Sequence, residues 1–268
     1  MFKKGLFKVV APLAAASMLL AACGADDSSN SSSSSDGEIT KLVAGTEATF
    51  APFEYMDESG EIIGIDREIL DAIAEETDVE IEMRNVGWDP LFSQVKNSEI
   101  EVGASAITIN DKRKETYDFT APYFEATQVI VVKSDSTVES LVDLDGQKIS
   151  VQINTTGHEA AKKAFGETST NIAAFENLPV AILEVINGST AAAIGDNAVV
   201  YEYLKNNPDA DLKVIEDETF DKEYYGLMVK KGNKEVLDTL NEGLEKIKEN
   251  GKLDEIVEKY TGVKQELE

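Results

Sequence analysis

The 268-residue sequence holds 25 basic and 51 acidic side chains, which gives a formal net charge of −26 at pH 7. Nucleic acid is therefore not an expected partner, because binding its phosphates needs a basic patch. The acidity is typical of a well-solvated surface. Hydrophobic residues make up 42% of the chain, which is enough for a globular core, and the single cysteine excludes an internal disulfide.

The N-terminus has the pattern of an export signal. Three lysines precede an uncharged run of 14 residues, Val9 to Ala22. At about 1.5 Å per residue a helix of that length does not cross roughly 30 Å of hydrocarbon, so cleavage is favoured over a permanent anchor. The Leu-Ala-Ala-Cys tetrad ending at Cys23 resembles a bacterial lipobox, in which the cysteine is acylated. We predict a signal peptide over 1–22, lipidation of Cys23, and a location on the outer face of the cell membrane.

A serine-rich segment follows the cysteine. Residues 23–37 hold no large apolar side chain and are predicted to form a flexible tether. Loss of residues 1–22, with their three lysines, changes the formal charge to −29. The remaining stretch, about 38–262, is long for one core and fits two lobes.

Short β-branched runs alternate with amphipathic patterns through this stretch. Helices are predicted over 66–76 and over 235–249, and Gly251 ends the second. Strands are predicted over residues 79–83, 102–107, 129–132, 148–153, 192–194 and 212–215. Strands separated by helices predict an α/β fold of doubly wound parallel sheets with ligands at the carboxyl ends of strands.

Sequence motifs of catalysis are missing. There is no G-x-S-x-G, Walker loop or G-x-G-x-x-G, and His158 is the single histidine, which excludes His-based zinc clusters and serine triads. We therefore expect a binding protein rather than an enzyme, with no cofactor and no metal.

One candidate carboxylate site follows from local pattern. Thr108 is predicted to end a strand, and Asn110 is a good N-cap for a helix with Arg113 in its first turn. A guanidinium beside a helix N-terminus and a hydroxyl forms a bidentate carboxylate clamp. From these residues alone the commoner alternative is a surface arginine, because Lys112 and Lys114 flank it.

For three further features, a purely structural role is the alternative to ligand binding. The turn from Thr155 to Gly157 opens a predicted helix and supplies free N–H groups, although threonine there is also a simple N-cap. Asp196 follows an apolar strand, where an acid is often only a helix cap. A lone tryptophan is more often a core residue, but Trp88 lies in the loop-like string Gly-Trp-Asp-Pro, which predicts an exposed position at the rim of the site.

Ordered strings of sequence point to a family. Those of the first half are GTEATFAPFEY from Gly45, GEIIGID from Gly60, GWDP from Gly87, ITINDKR from Ile107 and DFTAPY from Asp118. Those of the second half are residues 152–159, Asp196-Asn197-Ala198, Tyr225-Gly226 and Asn250-Gly251-Lys252. Together they resemble the bacterial family 3 solute-binding proteins, polar amino-acid receptors of ABC importers, over about residues 40–262.

The resemblance implies a periplasmic-binding-protein-like fold with two α/β lobes, a two-strand hinge and an interlobe cleft. The implied lobes are 38–127 with 226–268, and 128–225. The hinge is expected near 126–130 and 224–228. The implied partners are a free amino acid and the permease subunits of an importer, and the protein is expected to be a monomer.

The resemblance also implies a site. Thr108 and Arg113, helped by backbone groups at Ser105 and Ala106, would hold the ligand α-carboxylate, and Asp196 would receive its α-ammonium. The full set of implied ligand-binding residues is Glu47, Phe50, Trp88, Ser105, Ala106, Thr108, Arg113, Gln152, Thr155, Thr156 and Asp196. Asn154 stands where the family usually has glycine, which leaves the geometry of the threonine turn open.

The implied side-chain pocket combines a carboxylate, Glu47, with two aromatic walls, Phe50 and Trp88. Such a pocket suits a cation, so arginine, and also lysine or histidine, is the predicted ligand. Glutamine and cystine receptors share much of this pattern and remain alternatives. A dehydratase of prephenate-like acids on the same fold is another, with Glu47 as its general acid. A sensory module is disfavoured because no transmembrane or kinase segment follows Glu268.

Overall fold

A computed structural model of the protein describes residues 39–265. The predicted signal peptide, Cys23 and the serine-rich tether lie outside the described residues. Within 39–265, every helix is too short or too polar to cross a membrane.

Strands and helices are interspersed along the chain. The strands are β1 (Lys41–Thr46), β2 (Thr49–Phe50), β3 (Glu54–Met56), β4 (Ile62–Ile63), β5 (Glu80–Asn85), β6 (Val102–Gly103), β7 (Tyr117–Phe119), β8 (Phe124–Ala126), β9 (Gln128–Lys133), β10 (Ile149–Gln152), β11 (Ile172–Phe175), β12 (Ala192–Asp196), β13 (Leu212–Ile215), β14 (Glu223–Tyr225) and β15 (Met228–Lys230). The helices are α1 (Ile65–Thr77), α2 (Trp88–Asn97), α3 (Asp111–Lys114), α4 (Thr156–Phe165), α5 (Leu178–Ile186), α6 (Asn197–Asn206), α7 (Lys234–Glu249) and α8 (Lys252–Thr261).

Two five-stranded sheets define two lobes. The first lobe has the order β5-β1-β6-β15-β7, and the second has β11-β10-β12-β9-β13. The chain crosses between them twice, from β8 into β9 and from β14 into β15, and β8 and β14 pair antiparallel with each other. The predicted two-lobed α/β fold with two crossover strands is therefore confirmed. The predicted lobe boundaries lie at these crossings and remain a prediction.

Each sheet is mixed, whereas the sequence predicted parallel sheets. Strand β1 pairs parallel with β5 and β6, but β15 is antiparallel to β6 and β7. In the second lobe β9 is antiparallel to β12 and β13. Parallel neighbours need a long crossover connection, usually a helix. Strands β9 and β15 come directly from the paired crossover strands and therefore enter their sheets in the opposite direction.

The two longest predicted helices form as expected and pack against each other. In α1 the apolar positions Ile65, Ile69 and Ile73 lie on one buried face, and in α7 Leu240 and Leu244 do the same. Burying each such side chain contributes about 1.5–3 kcal/mol. This packing holds α1 in place below the cleft between the lobes. The first turn of α1 carries Asp66.

Two local predictions are wrong. The strand predicted over 102–107 ends at Gly103, because Ala106 has a φ of +46°, a left-handed conformation that breaks strand pairing. Thr108 consequently lies outside any strand and makes only an isolated bridge with Tyr225. Trp88 is not on an exposed loop: it is the first residue of α2 and only 9% exposed.

Candidate functional site

The predicted site residues meet in one cavity between the lobes. All eleven line the same space at the interface of the two lobes. A twelfth lining residue, Glu54, was not predicted. The first lobe supplies the residues up to Arg113, and the second lobe supplies Gln152, Thr155, Thr156 and Asp196.

Arg113 presents to this cavity a guanidinium that forms no salt bridge with any described residue. Asn110 caps α3 as predicted, accepting a hydrogen bond from Arg113 N at 2.8 Å. The Nη1 atom of Arg113 donates to Thr108 O at 2.8 Å, and its Cζ lies 5.5 Å from the centre of the Trp88 ring. No described carboxylate is hydrogen-bonded to it, and burial lowers the pKa of the guanidinium despite more distant acids. The remaining donors are free to bind an anion.

Trp88 supports this arginine. Together with Phe92, whose ring centre lies 5.3 Å from Arg113 Cζ, it forms an aromatic face against the guanidinium. The two rings contact each other edge to face at 4.8 Å. The indole N–H of Trp88 has no hydrogen-bond partner among the described residues. Trp88 thus combines a core position with one unsatisfied donor beside the cavity.

A carboxylate that the sequence did not indicate, Glu223, joins the two lobes at the cavity edge. Its Oε2 accepts from the hydroxyls of Thr108, at 2.9 Å, and Thr156, at 2.8 Å. The side chain of Gln128 lies 3.4 Å from the same oxygen. Because each hydroxyl has one proton, a ligand carboxylate would compete with Glu223 for the two threonines. In the described part of the chain no carboxylate is hydrogen-bonded to Arg113, which is therefore the stronger anchor for an anion.

Asp196 lies at the end of β12 and is 9% exposed. It occupies the N-cap position of α6, but its side chain makes no capping bond. Instead it accepts hydrogen bonds from Gln128 Nε2 and from the Tyr225 hydroxyl, the latter at 2.8 Å. Burial, reinforced by the negative charge of Glu223, raises the pKa of Asp196 to about 7. A cation beside it would restore ionisation.

The turn from Thr155 to Gly157 is preceded by Asn154, at a position where the family usually has glycine. Asn154 has a φ of +57°, a left-handed conformation that asparagine tolerates better than most residues. Its side chain donates to Asp89 Oδ1 of the first lobe at 2.9 Å. Thr155 caps α4 by accepting from His158 N at 3.2 Å, and it donates to Gln152 O at 2.8 Å. The Thr155 hydroxyl is therefore an N-cap of α4, which is the structural alternative named above.

Glu47 is the third charged group on the cavity wall and is 7% exposed. It accepts a hydrogen bond from the Thr49 hydroxyl, and its backbone N donates to Ser105 Oγ at 3.0 Å. Burial raises the pKa of Glu47 to about 7, which the hydrogen bonds of Thr49 and Gln152 only partly oppose. No basic side chain of the described residues contributes to this pKa. Glu47 is therefore a buried acid without a cationic partner in the part of the chain that the structure describes.

Two further contacts link the lobes outside the cavity. Lys112 of the first lobe pairs with Glu159 of α4 at 2.5 Å, and the Asn154–Asp89 hydrogen bond lies across the same cleft. The side chains that shape the cavity but were not predicted are Glu54, Gln128, Glu223 and Tyr225. Glu54 and Tyr225 occur in the strings that carry the family resemblance, which is the one signal that singles them out. Over the described part of the chain, no group of three or more metal-ligating side chains occurs.

The sequence matches the family model of the bacterial extracellular solute-binding proteins, family 3, over residues 42–263. The chain belongs to this family. A probable histidine-binding protein of Neisseria gonorrhoeae is 36% identical over 225 residues, or 84% of this chain and 83% of that protein. The arginine-binding extracellular protein ArtP of Bacillus subtilis is 32% identical over 225 residues, 84% of this chain and 88% of its own.

The solved structures include a member of the family with the same fold. The arginine-, lysine-, histidine-binding protein ArtJ of Geobacillus stearothermophilus has 48% sequence identity and a TM-score of 0.82. The match covers 85% of this chain and 98% of that one. These relatives are binding proteins by name, and the family assignment confirms the predicted extracellular solute-binding class.

Proposed function

We propose that this chain binds a free basic amino acid in the interlobe cavity and presents it to the permease subunits of an ABC importer. Arginine is the first candidate ligand, with lysine and histidine next. The protein would act as a monomer, without cofactor or catalysis. Its similarity to arginine- and histidine-binding proteins of the family supports this assignment.

The observation that carries the proposal is the charge pattern of the cavity. Among the described residues, one guanidinium without a salt bridge, Arg113, and two buried carboxyl groups without a salt bridge, Glu47 and Asp196, line the same space. A basic amino acid has the complementary set, with one carboxylate and two cations. A neutral side chain would leave Glu47 buried and unpaired, which is costly.

Each ligand group then has an assigned partner. The α-carboxylate binds the free donors of Arg113, and the α-ammonium binds Asp196, as the family resemblance implies. The cationic side chain binds Glu47, with Phe50 and Trp88 offering aromatic faces. Contacts from both lobes would stabilise the form in which the lobes touch, so binding would drive closure about the crossover strands.

A calorimetric screen tests this directly. The twenty amino acids are titrated into the fragment 38–268 at pH 7.5, and arginine, lysine or histidine is expected to bind tightest. Amino acids without a side-chain cation should bind at least tenfold more weakly, because Glu47 lacks a partner in their complexes. Tightest binding of glutamine or cystine would contradict the basic ligand and retain the receptor class.

One observation favours a second candidate, a dehydratase-like enzyme. A carboxyl group with a pKa of about 7, as in Glu47, is suited to general-acid catalysis at neutral pH. Incubation of the same fragment with prephenate-like acids tests it. Release of the elimination product at a rate that depends on Glu47 would favour the enzyme.

We also propose that the receptor is tethered to the outer face of the membrane through lipid on Cys23, on the grounds of the lipobox-like tetrad. Cys23→Ser is expected to abolish labelling by a fatty-acid probe and to release the protein into the soluble fraction. Ligand affinity of the released protein should equal that of wild type. Equal membrane retention of the two proteins would contradict the anchor.

A further inference from the structure

Two buried acids, one on the cavity wall and one behind it, take no part in the proposed ligand contacts. Glu54, on β3, and Asp66, in the first turn of α1, are both 0% exposed. The two carboxyl groups lie close enough for each to affect the pKa of the other. Within residues 39–265, no basic side chain is a cause of the pKa shift of either group, although Glu47, itself acidic, lies near enough to affect Glu54. Two ionised carboxylates in such a place would repel each other strongly.

The hydrogen-bond donors around the pair identify where a proton resides. Both oxygens of Asp66 accept: Tyr123 donates to Oδ1 at 2.8 Å and Oδ2 at 3.0 Å, and Ala106 N donates to Oδ2 at 2.9 Å. Glu54 Oε1 accepts from Ser105 Oγ at 2.8 Å. Glu54 Oε2 has no donor among the described residues. This leaves Glu54 Oε2 as the oxygen on which a proton shared with Asp66 would reside.

We propose that Glu54 and Asp66 share one proton and act as positioning residues for the binding site. Asp66 holds the N–H of Ala106 in its left-handed turn, and Glu54 holds Ser105 Oγ, which accepts from Glu47 N at 3.0 Å. The Ala106 N–H is consequently not a free donor for a ligand. The acid pair thereby connects the loop of Glu47 to the turn that leads into Thr108 and Arg113.

The surroundings keep this proton in place through the neutral range. Burial raises the pKa of Glu54 well above its usual value and that of Asp66 to about 6. The titratable groups that face the pair are Glu47 and Tyr123, and Tyr225 packs on Tyr123 with ring centres 6.4 Å apart. Tyr123 itself is kept protonated, because burial and both acids raise its pKa. None of these groups supplies a positive charge.

Glu54→Gln is the informative variant, because the amide replaces the shared proton by a permanent donor to Asp66 and keeps an acceptor for Ser105. The leucine of Glu54→Leu has a similar size but offers neither a donor to Asp66 nor an acceptor for Ser105. Glu58→Gln, at an exposed position of the same hairpin, is the matched control. All are measured as the full-length chain. The affinity readout rests on the proposed function, whereas the pH and amide readouts below do not.

Two results are expected. For arginine at pH 7.5, Glu54→Gln binds within about threefold of wild type, and Glu54→Leu binds at least tenfold more weakly. In ligand-free denaturant unfolding from pH 5 to 8, wild type is destabilised relative to Glu54→Gln as pH rises, by up to about tenfold in the unfolding constant per pH unit. The sign follows because the folded pKa of Glu54 is raised, so the unfolded chain releases the proton above pH 4.5 while the folded chain must keep it.

The two parts of the proposal fail separately. Parallel pH dependence of wild type and Glu54→Gln would overturn the shared proton. Wild-type affinity in a folded Glu54→Leu would overturn the positioning role. If Glu54→Leu does not fold, the ¹⁵N-amide signal of Ala106 decides: because the pair keeps its proton, the signal should stay fixed between pH 6.5 and 8 in wild type as in Glu54→Gln, and a shift with pH in wild type alone would overturn the proposal. If no amino acid binds wild type, the proposed function fails, and the unfolding and amide measurements still test the acid pair.

Discussion

Arg113→Ala is expected to reduce the affinity for every amino-acid ligand by roughly 30-fold to several thousandfold, which corresponds to about 2–5 kcal/mol. The guanidinium lies against Trp88 and Phe92 and has no described carboxylate hydrogen-bonded to it, so a ligand α-carboxylate would be its close counter-charge. Truncation leaves that carboxylate buried and unpaired. Titration calorimetry with arginine on wild type and variant measures the loss.

Lys114→Ala is the matched control for this experiment. Lys114 is on the same short helix as Arg113, but its side chain is exposed, so its loss should leave the affinity within about twofold of wild type. Arg113→Lys keeps the charge and loses the planar fork, so it should fall between wild type and Arg113→Ala. Wild-type affinity in Arg113→Ala would show that the proposed carboxylate site is wrong.

The local parts of the site could be predicted from sequence because each depends on residues a few positions apart. Asn110 caps the turn that holds Arg113, and Thr155 caps α4, both as their side-chain types indicate. The Asn154 substitution left the turn geometry open, and the observed left-handed φ explains why asparagine serves there in place of glycine.

The non-local parts could not be predicted, because no short pattern contains them. Glu223 meets Thr108 across 115 sequence positions and Thr156 across 67. Gln128 meets Asp196 across 68. Such pairs depend on how the two crossover strands bring the lobes together. The apolar run before Thr108 likewise predicted a strand, but the hydrogen bond from Ala106 N to Asp66 holds the backbone in a turn instead.

Glu47→Gln is expected to change ligand selectivity more than any other conservative substitution on the cavity wall. The amide keeps the shape and hydrogen-bonding capacity of the side chain but removes its charge. Arginine and lysine should therefore bind about 1.5–3 kcal/mol more weakly, or roughly 10- to 150-fold, while glutamine changes little. Competition calorimetry with arginine, lysine, histidine, glutamine and cystine on both proteins measures the preference, and Glu61→Gln, at an exposed position, is the control.

The pH dependence of the ratio of arginine to glutamine affinity distinguishes the role of Glu47 from that of Asp196. Both acids have raised pKa values of about 7, so binding a cation beside either one releases a proton, and affinity should increase as pH rises from 5 to 8. The α-ammonium beside Asp196 is common to all amino acids, and only a cationic side chain makes use of Glu47. The ratio of arginine to glutamine affinity should therefore rise by up to about tenfold per pH unit below pH 7 in wild type and stay constant in Glu47→Gln. A ratio that changes equally with pH in both proteins would contradict the pairing of Glu47 with the ligand side chain.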